Sequence, residues 1–249
     1  MRIDFNCDLG EGCGDDAAII PLITSASIAC GAHAGDAATM RTTLRLCREH
    51  GVAAGAHPSY PDRTHFGRIE MPLSPVEIEQ LVGEQIATLA AIAESEGIRL
   101  AHVKPHGALY NVAARDRAVA DAIAAAVARF DPQLRLFGLS GSQLPAAGEA
   151  AGLRVAHEVF AERRYEAGGT LTPRSRADAV IHGLDEAIAQ VCGFVRDGGV
   201  VVRTGERVAL RADTLCLHGD RADAAQFARA IRAALEADGI RILPPGADA

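Results

Sequence analysis

The chain has 249 residues, a formal charge of -7, only 4% aromatic residues and no tryptophan. That length can bury a full core in one large α/β domain, while an acidic balance with few rings argues against a nucleic-acid surface. No apolar run approaches the roughly 18 residues that span a bilayer, and Met1-Arg2-Ile3-Asp4-Phe5-Asn6-Cys7-Asp8 lacks the apolar stretch of a signal peptide, so a soluble, cytoplasmic protein is expected.

Residues 2–7 read as a first strand running into Asn6, Asp8 and Glu11 of Asn6-Cys7-Asp8-Leu9-Gly10-Glu11-Gly12. A second strand, 26–30, leads to His33 and Asp36, and Met40, Leu44 and Cys47 then share one helical face. That helix ends at His50-Gly51-Val52, where glycine suits the left-handed residue past a helix and valine starts a strand. The same junction recurs at Gly97, Gly152 and Gly239, the signature of repeated tight αβ loops.

The third strand, 52–56, ends in His57 and opens a loop carrying Tyr60, Arg63 and Arg68. Ser74-Pro75-Val76-Glu77 predicts a helix start, a capping box with proline at the first helical position, followed by Ile78, Leu81, Val82, Ile86 and Leu89 on one face. The fourth strand, 100–104, ends in Lys104 and His106, and an alanine-rich helix is expected from Arg115 to Phe130. Strands at 134–139 and 153–159 follow, then a glycine-containing loop with Arg163, Arg164 and Tyr165. Ile188, Val191, Cys192 and Val195 mark another helix. A small hairpin near 200–211 precedes a last strand, 213–218, that ends in His218 and Asp220, and Phe227, Ile231 and Leu235 mark the final helix.

Short strands, apolar on both faces and separated by amphipathic helices, imply a parallel sheet covered by helices. Seven such units within one domain, 1–249, predict a TIM-like (β/α) barrel with fewer than eight strands. A doubly wound open sheet is the alternative. In a barrel, five strands deliver ionisable side chains to one carboxyl rim, where βα loops build active sites. Proton transfer or metal-assisted hydrolysis is the chemistry this suits. Asp36 and Asp220 also fit simple helix N-caps.

Lys104 is the single lysine; every other basic residue among 25 is arginine. A compact ammonium donates in any direction, whereas a guanidinium is a fixed planar fork, so this position is expected to need the former. The six cysteines form no C-x-x-C pair and read as small buried hydrophobes. The chain has no P-loop, no G-x-S-x-G and no H-E-x-x-H.

These segments resemble the LamB/YcsF family. The resemblance runs through N-x-D-L-G-E-G (Asn6 to Gly12), C-G-x-H-A-G-D (Cys30 to Asp36), G-A-H-P-S-Y-P-D (Gly55 to Asp62), H-V-K-P-H-G-A-L-Y-N (His102 to Asn111) and H-G-D (His218 to Asp220). Glu162 stands where the family's F-A-D-R-x-Y has aspartate, and Ile69 where a second arginine is expected.

The resemblance implies a distorted seven-stranded barrel related to the glycoside hydrolase/deacetylase superfamily. It further implies an ATP-dependent lactam hydrolase acting with partner subunits B and C, turning 5-oxo-L-proline into L-glutamate with ATP, expected with Mg2+. Under it, Asp8, alone or with His57, is the base toward water, and Lys104 with His106 receives the oxyanion or phosphate. His33, His218 and Asp220 orient these groups, and Arg163 holds the substrate carboxylate. Asn6, Glu11, Asp36, Arg68 and Tyr165 complete the expected binding set. The related deacetylases hold an ion with one Asp and two His, for which Asp8, His33 and His57 would be the counterparts. Two readings compete with this one: a stand-alone metal-dependent amidohydrolase or deacetylase, and a non-catalytic regulatory subunit.

Overall fold

The computed structural model describes residues 1–220 and 223–246. In chain order the strands are β1 (Arg2–Leu9), β2 (Ser25–Ala29), β3 (Ala53–His57), β4 (His102–Val103), β5 (Arg135–Leu139), β6 (Arg154–Phe160), β7 (Gly199–Val201), β8 (Arg207–Ala209), β9 (Thr214–His218) and β10 (Arg241–Ile242). β1 to β6 pair side by side and parallel, β9 pairs parallel with β6, and β9 closes the ring onto β1 through Asp4↔Thr214 to Asp8↔His218. The result is a closed seven-stranded parallel barrel. β10 adds to the start of β1 outside the ring, and β7 and β8 form the expected antiparallel hairpin.

The helices are α1 (Asp16–Ile19), α2 (Ala37–His50), α3 (Pro75–Ser95), α4 (Gly107–Arg115), α5 (Arg117–Phe130), α6 (Gln143–Ala150), α7 (Leu184–Asp197) and α8 (Ala224–Ala237). Their apolar faces cover the barrel: Met40, Leu44 and Cys47 of α2, and Ile78, Val82, Ile86 and Leu89 of α3, are buried. The capping box at Ser74 forms as predicted, with Glu77 accepting from the Ser74 N–H at 2.7 Å. Gly51 ends α2 with φ 68°, the left-handed conformation the sequence pattern requires.

The helix expected from Arg115 to Phe130 is α5, whose start is set by Asp116 turning its side chain onto the N–H groups of Ala118 and Val119, and α4 runs up to it. Ser142 stands at the N-cap position of α6, and Leu144 and Ala147 of that helix are buried.

The barrel interior departs from an all-apolar filling along β1. Side chains on a strand alternate between faces, and the column Asp4, Asn6, Asp8 points inward to meet β4, β6 and β9, while Ile3, Phe5, Cys7 and Leu9 join the apolar core. Buried polar groups are tolerable only when hydrogen-bonded. Here Asp4 accepts from Thr214, Thr24 and Ser25 at 2.5, 2.7 and 2.7 Å. Among the described residues no helix is long and apolar enough to cross a membrane.

A candidate active site at the carboxyl rim of the barrel

The end of β4 sets the centre of the site. Lys104 follows Val103, its backbone N–H still bound to the Ala56 carbonyl at 2.9 Å, so its side chain is launched from the sheet into the barrel mouth. Its ammonium is 2% exposed and lies 2.8 Å from Asp8 Oδ1, 2.7 Å from Glu158 Oε1, 3.1 Å from Asn6 Oδ1 and 3.1 Å from Cys216 Sγ. Burial opposes the charge, but Asp8, Cys216 and Glu158 around it hold the Lys104 pKa well above its ordinary value. Burial likewise opposes the Asp8 carboxylate, and His57 with Lys104 outweighs it, holding Asp8 well below the carboxylate range. Both groups are therefore charged at neutral pH. Asp8 Oδ1 is sealed against the Lys104 ammonium and accepts no aligned hydrogen bond.

Beneath this pair lies a support that the sequence pattern did not reveal. Glu158, fully buried on β6, accepts from Asn6 Nδ2 at 3.0 Å and from the Tyr110 hydroxyl at 2.7 Å, and Asn6 Nδ2 also donates to Thr214 Oγ1 at 2.7 Å. The signal was a carboxylate in the middle of the apolar strand Val155-Ala156-His157-Glu158-Val159-Phe160, which has to find a buried partner. Cys216, expected to be an inert hydrophobe, sits against the lysine.

A histidine cluster adjoins the ion pair. His57 Nδ1 donates to the Lys104 carbonyl at 2.7 Å, and its Nε2 faces Asp8 Oδ2 at 3.4 Å and His106 Nδ1 at 2.9 Å. His106 Nε2 donates to the Phe66 carbonyl at 2.9 Å, and its ring stacks on His33 with centroids 3.9 Å apart. His33 Nε2 lies 3.2 Å from Glu11 Oε1. Burial keeps His33 neutral, its pKa lowered to about 3, and raises Glu11 to about 7. Two sets of donor atoms lie close enough to share an ion: Glu11, His33, His57 and His106, and separately Asp8, Cys216 and His218.

The remaining expected residues divide. Asp8, His57, Arg68, Lys104, His106, Arg163 and His218 line a cavity of about 650 Å³, joined by Arg115, Arg174 and Tyr110. His218 Nδ1 is held by Glu162, so the glutamate in the family's aspartate position anchors a rim histidine. Arg68 pairs with Asp220 at 2.6 Å across the mouth.

Three residues sit differently from expectation. Asp36 is exposed and caps α2 through the Thr39 N–H at 2.8 Å. Tyr165 is buried away from the cavity, its hydroxyl accepting the Phe160 N–H at 2.8 Å and its ring packed edge-on to Phe194. Arg163, 4% exposed, donates to the carbonyls of Thr172 and Ala179 at 2.7 and 3.4 Å, so much of its guanidinium is committed to its own loop.

A closed parallel barrel with a buried lysine–carboxylate centre and a histidine cluster at its carboxyl rim defines a β/α-barrel protein built for polar chemistry on a small ligand. The LamB/YcsF family model matches residues 3–248, and the chain belongs to that family. It is 56% identical to the 5-oxoprolinase A subunit of Bordetella pertussis, over 96% of this chain and 97% of that one. It is 52% identical to the 5-oxoprolinase A subunit of Neisseria meningitidis serogroup C, over 97% and 98%. The crystal structure of a lactam utilization protein from Thermus thermophilus superposes with a TM-score of 0.92 at 46% identity, covering 98% and 99% of the two chains.

Proposed function

We propose that this chain is the A subunit of an ATP-dependent 5-oxoprolinase, hydrolysing the lactam of 5-oxo-L-proline to L-glutamate together with B and C subunits. The observation that carries the reading is the identity of 52–56%, over nearly the full length, to proteins named as the A subunit of 5-oxoprolinase.

The site chemistry supports this reading. Asp8 is a carboxylate held ionised by His57 and Lys104, so it orients water well but is a weak base. A resonance-stabilised amide is a poor electrophile. Such a base therefore needs an activated carbonyl, and phosphorylation of the lactam oxygen by ATP, with Mg2+, supplies one. Water held on Asp8 attacks that carbon and gives its proton to Asp8, the C–N bond breaks as that proton passes to the ring nitrogen, and a second water releases phosphate from the resulting acyl phosphate. The Lys104 ammonium stabilises the developing oxyanion or the departing phosphate in a dry, preorganised setting, and His106 and His218 line the same space.

Arg68, Arg115, Arg163 and Arg174 give the cavity a cationic lining for an anionic substrate. Arg174 makes no ion pair among the described residues and lies on the exposed side of the cavity, which makes it a better carboxylate partner than Arg163. The chain has no P-loop, so the nucleotide site is assigned to the B and C subunits.

The test is glutamate release from 5-oxoproline by the reconstituted complex, with this chain or ATP omitted in turn. Release that needs both supports the proposal. Release by this chain alone without ATP would replace it with a stand-alone amidohydrolase. Unchanged release without this chain would give it a purely regulatory role.

A further inference from the structure

We infer that Glu11, His57 and His106 form a binding site for a divalent d-block cation of the Zn2+ class. This goes beyond the lactam reaction and does not rest on it. It also differs from the set implied by the deacetylase relationship, because Glu11 replaces Asp8 as the carboxylate and His106 replaces His33, whose ring stacks flat on His106 at 3.9 Å and so cannot share an ion lying in both ring planes.

Two carbonyl groups fix the tautomers. A carbonyl oxygen only accepts, so the ring nitrogen facing it carries the hydrogen. His57 Nδ1 faces the Lys104 carbonyl and His106 Nε2 faces the Phe66 carbonyl. Without a proton between them, the two rings turn lone pairs, on His57 Nε2 and His106 Nδ1, toward each other at 2.9 Å. Two lone pairs at that distance repel unless something positive lies between them.

One further donor converges on the same point, and His33 stands beside it. Glu11 Oε1 is 3.3 Å from His106 Nδ1, 3.9 Å from His57 Nε2 and 3.2 Å from His33 Nε2. Ligands about 2.0 Å from a tetrahedral ion are separated from one another by about 3.3 Å. The observed separations bracket that value. Two imidazoles and one carboxylate suit zinc-like ions with an open fourth position rather than Mg2+ or Ca2+, which prefer all-oxygen sets.

The surroundings are those of a metal site. Both rings are fixed from behind by carbonyl acceptors, the usual device for orienting a metal-ligating histidine. Phe66, which supplies one of them, has φ 57°, the sole positive φ outside glycine among the described residues. Left-handed backbone in a bulky residue is strained and persists where the surroundings impose it. Phe66 also stands edge-on to His33 and His106, at 5.4 and 5.3 Å, walling the cluster. His33 is 2% exposed and its Nδ1 has no hydrogen-bond partner.

The competing explanation is a proton shared by His57 and His106. Purified full-length chain, stripped with chelator and shown by circular dichroism to remain folded, is titrated with Zn2+ and separately with Co2+. The expected result is one ion per chain, with visible Co2+ absorption bands of tetrahedral nitrogen–oxygen coordination. His106→Ala and Glu11→Gln are expected to weaken Zn2+ binding by at least about tenfold, while Asp8→Asn keeps one ion per chain. If His106→Ala does not fold, Glu11→Gln alone decides the ligand set. A folded wild-type chain that binds no ion overturns the proposal in favour of the shared proton. Loss of the ion in Asp8→Asn with retention in Glu11→Gln overturns the ligand set.

Discussion

Lys104 Nζ and Glu158 Oε1 meet at 2.7 Å with both side chains sealed from solvent, at 2% and 0% exposure. Taking one partner from a buried ion pair leaves an uncompensated charge and typically costs about 3–5 kcal/mol. Lys104→Met is therefore expected to lose about that much stability in urea unfolding, since Asp8 and Glu158 would both be stranded. Adding Glu158→Gln should recover part of the loss, because the Asn6 amide and the Tyr110 hydroxyl can still bind the new side chain. A Lys104→Met chain as stable as wild type would mean that the pair does not hold the barrel mouth together. Lys104→Arg is also expected to destabilise, as a planar fork does not fit a pocket of four acceptors around one point.

Arg174 and Arg163 line the same cavity under opposite constraints. Arg174 is exposed and makes no ion pair among the described residues, whereas Arg163 is buried and bound to the Thr172 and Ala179 carbonyls. Arg174→Ala should leave stability within about 0.5 kcal/mol of wild type and raise KM for 5-oxoproline in the reconstituted complex about tenfold with kcat little changed. Arg163→Ala should instead lower Tm, because two buried carbonyls lose a donor. Reversal of these two patterns would return the carboxylate-binding role to Arg163.

The barrel was legible because its signals are local. Glycine followed by a branched residue marks four αβ junctions, and the seven expected strands match β1 to β6 and β9 to within about two residues, as is usual at element ends. The rim residues were legible for the same reason, since strand ends are visible in the sequence. What lies beneath the rim was not. Glu158 and Cys216 reach Lys104 from β6 and β9, Tyr110 reaches Glu158 from α4, and only barrel closure brings them together. Tyr165 and Arg163 misled because an Arg-Arg-Tyr run reads as a substrate-gripping loop. Whether its side chains face the cavity or the core depends on the bridges Arg163↔Val180 and Tyr165↔Leu171, formed with a segment further along the chain.

His102 gives the pH dependence a definite sign. Burial first, and then the nearby Lys104 charge, lower its pKa from 6.5 to about 3. Its ring lies neutral against Phe137 and within 3.2 Å of the Ser27 hydroxyl. Between pH 3 and 6.5 the unfolded chain binds this proton and the native one does not, so the contribution to stability is present above 6.5 and lost as the pH falls toward 3. His33, lowered to about 3, acts in the same direction. Asp4, raised from 3.8 to about 6, opposes it, its contribution being present at low pH and lost as pH rises through 6. Urea unfolding of His102→Gln across this window should show a shallower rise of stability with pH than wild type, by on the order of a few kcal/mol. Parallel curves for the two proteins would mean that His102 is protonated in the native state.

Gly67 connects the loop after β3 to the histidine cluster. It adopts φ 64°, and a Cβ there would lie 2.1 Å from Ser59 Oγ, 3.0 Å from His33 Cβ and 3.2 Å from His106 Cδ2. The chain can pass this close, and so deliver the Phe66 carbonyl to His106, only because no side chain intervenes. Gly67→Ala combines left-handed strain with a steric clash and is expected to cost about 1–3 kcal/mol. Its effect should extend beyond stability. With the loop displaced, His106 loses the acceptor that fixes its hydrogen on Nε2, and activity of the reconstituted complex should fall at temperatures where circular dichroism shows the variant fully folded. Gly12→Ala provides the control, since its φ is also positive, at 72°, yet nothing lies within 4 Å of the added carbon. Equal loss of activity in both variants would attribute the effect to backbone strain alone and remove the positioning role from Gly67.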